Sequence, residues 1–199
     1  MPNQLMPRMR KTVKSILMAA GVDFRMKTDD RRVLEGTIIP AVARSPEYHN
    51  ILFIGCDWYT RGYQREFVER NYWTLEIDPA KTKFGARQHI VDTAENLAQH
   101  FKPNSLDFIF CNGVIGWGLD DREGVERMLE SCWDCLRDKG VLMIGWNDVP
   151  ERLPPVPLSE VAALRKFRPY LFPELGTAER RTDSELRHTY NFYIKEVSG

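Results

Sequence analysis

The chain is 199 residues long, 43% apolar and 28% charged, a balance that supports a folded core and excludes a disordered chain. Lysine plus arginine equals aspartate plus glutamate at 28 each, which argues against a nucleic acid as main partner, since phosphate binding wants a net basic face. Four cysteines, no secretory signal and an apolar run at residues 16–20 too short for a membrane span lead to the expectation of a cytoplasmic protein.

Residues 1–22 carry Arg8, Arg10, Lys11 and Lys14 and no acid. Met9, Val13, Ile16, Leu17 and Ala20 recur at helical spacing, with Gly21 as a stop. One reading is a basic amphipathic helix that touches a membrane surface or an anionic ligand through residues 8–20. The commoner arrangement is a helix packed on the main domain with its charges in water. Residues 23–47 are mixed, and Gly36 and Pro40 interrupt any long element. Residues 1–45 are therefore set apart as an N-terminal helical appendage to an α/β domain of residues 46–199.

From His49 onward strands and helices alternate. A strand is expected at 51–54, then a helix at 62–70 with Phe67 and Val68 inward, and a strand at 73–77 closed by Asp78-Pro79. A short strand at 89–91 precedes a helix at 93–101 with Thr93 as its N-cap, and an apolar strand follows at 106–111. A long helix at 122–137 places Val125, Met128, Leu129, Cys132, Trp133 and Leu136 on one face, with Lys139-Gly140 as its stop and a strand at 141–146. This alternation implies a doubly wound, mostly parallel sheet whose ligands bind at the carboxyl ends of the strands. Pro150, Pro154, Pro155 and Pro157 mark a loop, and residues 159–167 look helical. In residues 188–197, Tyr190, Phe192 and Ile194 alternate with Asn191, Tyr193 and Lys195, as in a strand near a sheet edge.

Four pieces in order are Ile51-Leu-Phe-Ile-Gly-Cys56, Trp73-Thr-Leu-Glu-Ile-Asp-Pro79, Ile90-Val-Asp-Thr93 and Leu106-Asp-Phe-Ile-Phe-Cys-Asn-Gly-Val114. With the long helix and Lys139-Gly-Val-Leu-Met-Ile144, they resemble class I S-adenosylmethionine-dependent methyltransferases over residues 49–148. The resemblance implies a Rossmann-like methyltransferase fold, S-adenosylmethionine as cofactor, and methyl transfer to a small-molecule or glycan-type acceptor. Gly55, without a Cβ, lets the backbone approach the cofactor. Glu76 ends the second strand, where a carboxylate accepts both ribose hydroxyls. Asp92 matches the family's acid near the adenine amino group, and Asn112 and Gly113 lie next to the methionine end. Phe53 stands where the family usually has an acid, and Asp57 and Tyr59 stand where it has further glycines. Asp57 is close enough to replace some of that polarity. Trp58 and Tyr59 are expected to line the sulfonium pocket, because aromatic faces attract cations.

Other candidates compete with plainer roles. Cys132-Trp-Asp-Cys135 has CxxC spacing, but it sits within a helix and has no second pair, so buried thiols are favoured over a redox or zinc site. Cys56 is a pocket wall or, preferably, packing. His188 begins the last strand and is a candidate base, with a lone surface histidine as the commoner outcome. His49 and His100 look like loop and helix-end residues, and no metal-ligand spacing is present. Trp117, between Gly116 and Gly118, and Trp146, before Asn147 and Asp148, are candidate walls of the acceptor site. Asp148 or Asp120 is a candidate base or orienting group; otherwise the tryptophans are core and the acids are helix caps. Two other functions stay open. A non-catalytic binding module is favoured by Phe53 and Asp57. A nicotinamide-dependent oxidoreductase is disfavoured, because the single Gly55 fails the G-x-G-x-x-G pattern.

Overall fold

A computed structural model of the chain describes residues 27–197. The basic segment at residues 8–20 lies outside the described residues. Eight strands form one sheet: β1 (Asn50–Ile54), β2 (Asn71–Glu76), β3 (Gln88–Val91), β4 (Leu106–Asn112), β5 (Leu136–Asn147), β6 (Arg168–Pro169), β7 (Glu179–Arg181) and β8 (His188–Ile194). Their order is β3-β2-β1-β4-β5-β8-β6, and β7 also pairs with β8. The strands from β1 to β5 are parallel, and β8 runs antiparallel to β5. The sheet is thus doubly wound and mostly parallel.

The side-chain alternation of each strand builds two cores. Leu52, Ile54, Ile109, Cys111, Leu142 and Ile144 face one side. Ile51, Phe53, Phe108, Phe110, Val141, Met143, Tyr190 and Phe192 face the other. The first side is covered by α4 (Arg122–Cys135) and α3 (Leu97–His100), and α4 buries Val125, Met128, Leu129 and Cys132 against it. Cys132 and Cys135 are both buried free thiols within or ending this helix. The other side is covered by α1 (Asp29–Val33), which passes through a π-helical turn, Leu34–Ile38, into α2 (Ile39–Arg44). Leu34, Ile38, Ile39 and Val42 join the same core as Phe53 and Phe110. The described part of the N-terminal stretch is therefore a packed layer of the sheet.

Local chemistry departs from the expected elements in places. Residues 62–70 hold only a 3-10 turn, Arg61–Arg65; Phe67 is buried, but Val68 is 73% exposed. The long helix begins at the Asp121 cap, which accepts the Gly124 N–H at 2.8 Å, and ends at Cys135, before Lys139-Gly140. The chain then turns straight into β5. Residues 159–167 form two short 3-10 pieces, Leu158–Glu160 and Ala163–Lys166. The Glu126 carboxylate takes the Ala162 and Ala163 N–H groups at 2.8 and 2.7 Å and so caps the start of the second piece from outside. The strand at the C-terminal end lies near the sheet edge, as expected, with only the short β6 and β7 along its outer side.

Two buried charges lock the edge opposite the carboxyl ends of the parallel strands. Asp107 accepts the His49 and Asn50 N–H groups at 2.8 and 2.7 Å and pairs with Arg137 Nε at 2.6 Å. It therefore joins the starts of β1, β4 and β5. Lys195 donates to Asn104 Oδ1, Trp133 O and Leu136 O at 2.9, 2.6 and 2.8 Å, closing the carboxyl end of α4 with a cation. Asp107→Ala would strand three donors in a poorly hydrated place. It is expected to lower stability by about 2–4 kcal/mol in urea unfolding. A loss within ~0.5 kcal/mol, the scale of ordinary surface changes, would show that the carboxylate is dispensable to the sheet.

Candidate active site

β1, β2 and β4 lie side by side and end at one level. Gly55 follows β1 with φ at +91°, and its N–H donates to Leu75 O at 2.9 Å. A Cβ there would stand 2.9 Å from Asn112 O and 3.1 Å from Val114 Cγ2, so both conformation and space demand glycine. Glu76, the last residue of β2, is buried. Its Oε2 accepts the Cys56 N–H at 2.8 Å and its Oε1 accepts the Asp78 N–H at 3.1 Å. The carboxylate is thereby fixed at the sheet edge, and each oxygen keeps further acceptor capacity. Asn112 ends β4, buried, and the next N–H, of Gly113, donates to Gly145 O at 2.9 Å.

The loop after Gly55 is held by its own polar groups. The Asp57 N–H donates to Thr60 Oγ1 at 3.0 Å, Thr60 Oγ1 donates to Asp57 O at 2.8 Å, and the Trp58 N–H donates to Asp57 Oδ1 at 2.7 Å. Lys81 reaches Asp57 Oδ2 at 3.5 Å. Burial works against the Lys81 charge, but Glu76 and Asp57 outweigh it and raise its pKa. Burial, with Glu76 adding to it, pushes the Cys56 thiol up to about 12, so it is no nucleophile at neutral pH. Trp58 and Tyr59 pack edge to face at 5.2 Å, half-buried and outside both cores. The Tyr59 ring already meets a cation, with the Arg31 guanidinium 4.2 Å from its centroid.

Arg31, on α1, was not anticipated from sequence. It lies in the charged run Asp29-Asp-Arg-Arg32, which resembles a solvated helix face, yet only 8% of its surface is exposed. Its Nη1 donates to Tyr63 OH at 3.0 Å, and Tyr63 OH donates to Glu35 Oε1 at 2.9 Å. Its Nε stands 3.5 Å from Asp30 Oδ2 and has no hydrogen-bond partner. Nearby, Tyr190 OH donates to Asp30 O at 2.9 Å.

His188 begins β8, and it is buried where a surface histidine was expected. Its Nδ1 lies 2.6 Å from Asn147 Oδ1 and its Nε2 lies 3.1 Å from Asn112 Oδ1. Gly145 makes room for this pairing, since a Cβ there would collide with Asn112 Oδ1 and stand 2.8 Å from His188 Nε2. Burial pushes the imidazole pKa down to about 4; Asp30 opposes the shift and Arg31 reinforces it.

The remaining candidates are engaged with partners of their own. Asp92 follows β3, and its Oδ1 accepts the Thr93 N–H and Asn96 Nδ2 at 2.7 and 3.0 Å, while Oδ2 meets His100 Nε2 at 2.7 Å. The His100, Asn96 and Thr93 hydrogen bonds hold its pKa below the usual carboxylate range. Its carboxylate thus braces the start of its own helix. Asp148 Oδ2 pairs with Arg181 Nη2 at 2.9 Å and Arg187 Nη2 at 3.4 Å. Asp120 Oδ1 accepts the Gly118 N–H at 3.4 Å within its loop. Trp117 is half-exposed under the Arg152 guanidinium, 3.8 Å from its centroid. The Trp146 indole N–H donates to Asn191 Oδ1 at 2.8 Å, and the ring walls a groove of about 680 Å³ formed with Pro154, Pro155, Pro157 and Tyr193. Among the described residues, no three His, Cys, Asp or Glu side chains are grouped to hold a metal ion, and no helix is long and apolar enough to cross a membrane.

By sequence, the chain matches no protein-family model and no curated protein. By structure it is similar to several solved proteins. The N-methyltransferase NodS of Bradyrhizobium japonicum WM9, in complex with S-adenosyl-L-homocysteine, superposes with a TM-score of 0.62 at 12% identity, over 85% of this chain and 89% of that one. A SAM-dependent methyltransferase from Archaeoglobus fulgidus gives 0.56 at 13% identity, over 82% of this chain and 94% of that one. A TehB-like SAM-dependent methyltransferase from Corynebacterium glutamicum gives 0.55 at 17% identity, over 98% of this chain and all, 100%, of the other. The strand order, the reversed β8 and these superpositions together show that the chain has the fold of the class I S-adenosylmethionine-dependent methyltransferases.

Proposed function

We propose that the chain binds S-adenosylmethionine across the carboxyl ends of β1, β2 and β4 and transfers its methyl group to a small-molecule or glycan-type acceptor. The observation that carries this reading is the meeting of Gly55 with the Asn112 backbone beside the fixed Glu76 carboxylate. A bare Cα and an anchored acid with spare lone pairs are the features that a ribose-bearing ligand requires. When bound, the cofactor supplies an electrophilic methyl group on a sulfonium. The protein's part is then alignment and exclusion of water.

In this reading Glu76 accepts the ribose hydroxyls, and Gly55 and Gly113 leave room for close approach. Asp57, Trp58 and Tyr59 wall one side of the cofactor. Asp92 acts through the turn it braces, next to the adenine. Asn112 borders the methionine end. His188 is a positioning residue held between the Asn147 and Asn112 side chains; burial favours its neutral form, which donates from one ring nitrogen and needs one of the two asparagine amides turned to offer its N–H to the other. Asp148, held by two guanidinium groups, orients the start of the β7–β8 hairpin. Trp117 stands at the acceptor side, and Trp146 floors the proline-lined groove next to it. A non-catalytic binding module is the second reading. It is favoured by the engaged Asp92 carboxylate and by Phe53, fully buried where the family usually has an acid.

Titration calorimetry with S-adenosylhomocysteine and with NAD tests the cofactor assignment. The first is expected to bind and the second not. Glu76→Ala should weaken S-adenosylhomocysteine by about 1.5–3 kcal/mol, the scale of charge-assisted hydrogen bonds. Gly55→Ala should remove binding, since the new methyl group meets Asn112 O. Unchanged affinity in both folded variants would sink the assignment. Incorporation of labelled methyl into a panel of acceptors then separates enzyme from binding module.

The His188 assignment gives a pH test. A folded pKa near 4 against an ordinary 6.5 means that the unfolded chain takes up the proton first on acidification. The stability contributed by the neutral ring is complete above about pH 6.5 and is lost as pH falls toward 4. Wild type should therefore lose stability more steeply than His188→Gln between pH 7 and pH 4.5, roughly the span of the shift. Parallel losses would place the ring in contact with water.

A further inference from the structure

The groove beside Trp146 is built from strands on both sides of β8. Trp146 on β5 and Asn191 and Tyr193 on β8 share one face of the sheet, and Glu179 on β7 stands opposite Asn191. The Asn191 amide ties two of these groups together. Its Oδ1 accepts the Trp146 indole N–H at 2.8 Å, and its Nδ2 donates to Glu179 Oε2 at 2.8 Å. Asn191 is itself buried, so an aromatic ring and a carboxylate are held on one fixed amide. Pro154, Pro155 and Pro157 stand across the groove on the loop after β5.

This lining is poor in donors and carries an unspent acceptor. Proline has no N–H. The indole N–H is used by Asn191, and the Asn191 amide donates within the cluster. Glu179 keeps its second oxygen and forms no ion pair among the described residues. Tyr193 feels that charge: burial first, and Glu179 after it, push the phenol up to about 12. Arg165 also reaches the lining, but it shares the field of Glu126. The Ala163 and Ala162 N–H groups lower the Glu126 pKa, and Arg122 and Arg165 add to the effect. An aromatic face next to an unpaired carboxylate attracts an organic cation. An anion would meet the Glu179 charge and find little to donate to it. A volume of about 680 Å³ with apolar walls suits the body of a small molecule.

We propose that this groove binds a small organic ammonium with an apolar body, and that it is the docking subsite of the methyl acceptor. The second clause rests on the methyl-transfer reading above. The groove begins beside the transfer centre. Gly145, the residue before Trp146, pairs with Asn112, and Arg152, the residue before Leu153 on the lining, stacks on Trp117. The docked ammonium is a handle and not the methylated atom, because a protonated nitrogen has no lone pair with which to attack. The acceptor therefore carries its nucleophile on another atom.

Three probes of similar shape test the groove: phenethylammonium, neutral 2-phenylethanol and anionic 3-phenylpropionate. The readout is NMR titration of the Trp146 indole N–H, assigned through Trp146→Phe. Phenethylammonium is expected to bind about tenfold more tightly than the alcohol and to shift that resonance, and the propionate to bind least. Glu179→Gln keeps an acceptor for Asn191 and removes the charge. The residue is exposed, so the variant should fold. It should bring the ammonium down to the level of the alcohol and leave the alcohol unchanged. Binding by none of the probes, equal binding of ammonium and alcohol, or tighter binding of the propionate would overturn the cation site. So would an ammonium preference that survives Glu179→Gln, or shifts that spare Trp146. Titration with S-adenosylhomocysteine separates the two readings. If it binds and the ammonium does not, the cofactor reading stands and the groove proposal falls. If the ammonium binds and S-adenosylhomocysteine does not, the groove stays a cation site and its place in methyl transfer falls.

Discussion

The close approach of Gly55 to the Asn112 carbonyl is the constraint on which the rest of the site depends. It sets the ends of β1 and β4 at one height and leaves no side chain between them. The Gly55 N–H then reaches Leu75 O on β2, so the same residue registers three strands. Once that turn is set, the Cys56 N–H points at Glu76 and fixes a long acid side chain that would otherwise sample many rotamers. The order of causes runs from the apolar strands, through the glycine, to the acid.

Charge is handled differently at the two edges of the sheet. Asp107 and Lys195 are saturated by backbone groups and a partner, which suits structural locks. At the carboxyl edge the Glu76 carboxylate is fixed in place and yet keeps acceptor capacity. Fully satisfied polar groups rigidify a fold, whereas pre-positioned groups with spare valences leave something for a ligand to complete.

The strands were legible because their apolar runs are short, dense and bounded by glycine, proline or aspartate. Gly55, Glu76 and Asn112 were legible as strand ends. Other features depended on distant partners. His188 is buried by Asn112 and Asn147, residues 76 and 41 positions away, and nothing near His188 in the sequence announces this. Arg31 hides in a run of four charges because its aromatic partners follow a different strand. Asp92 is captured by His100, eight residues on, so a strand-end acid became a brace. At residues 159–167 a helical composition was present, but the segment broke into two turns, the second capped from outside by the Glu126 side chain.

β8 carries a consequence for how the molecule comes into being. It enters the sheet next to β5, with His188 at one end and, just past its other end, Lys195 closing α4. During synthesis the five parallel strands leave the ribosome well before this segment. Until it arrives, Asn112 lacks its imidazole neighbour, the outer side of β5 is an open ladder of unpaired peptide groups, and the carboxyl end of α4 is uncapped. Ligand competence on a nascent chain therefore waits for the last strand, and during that interval the growing polypeptide is most open to capture by chaperones or by the sheet edges of its neighbours.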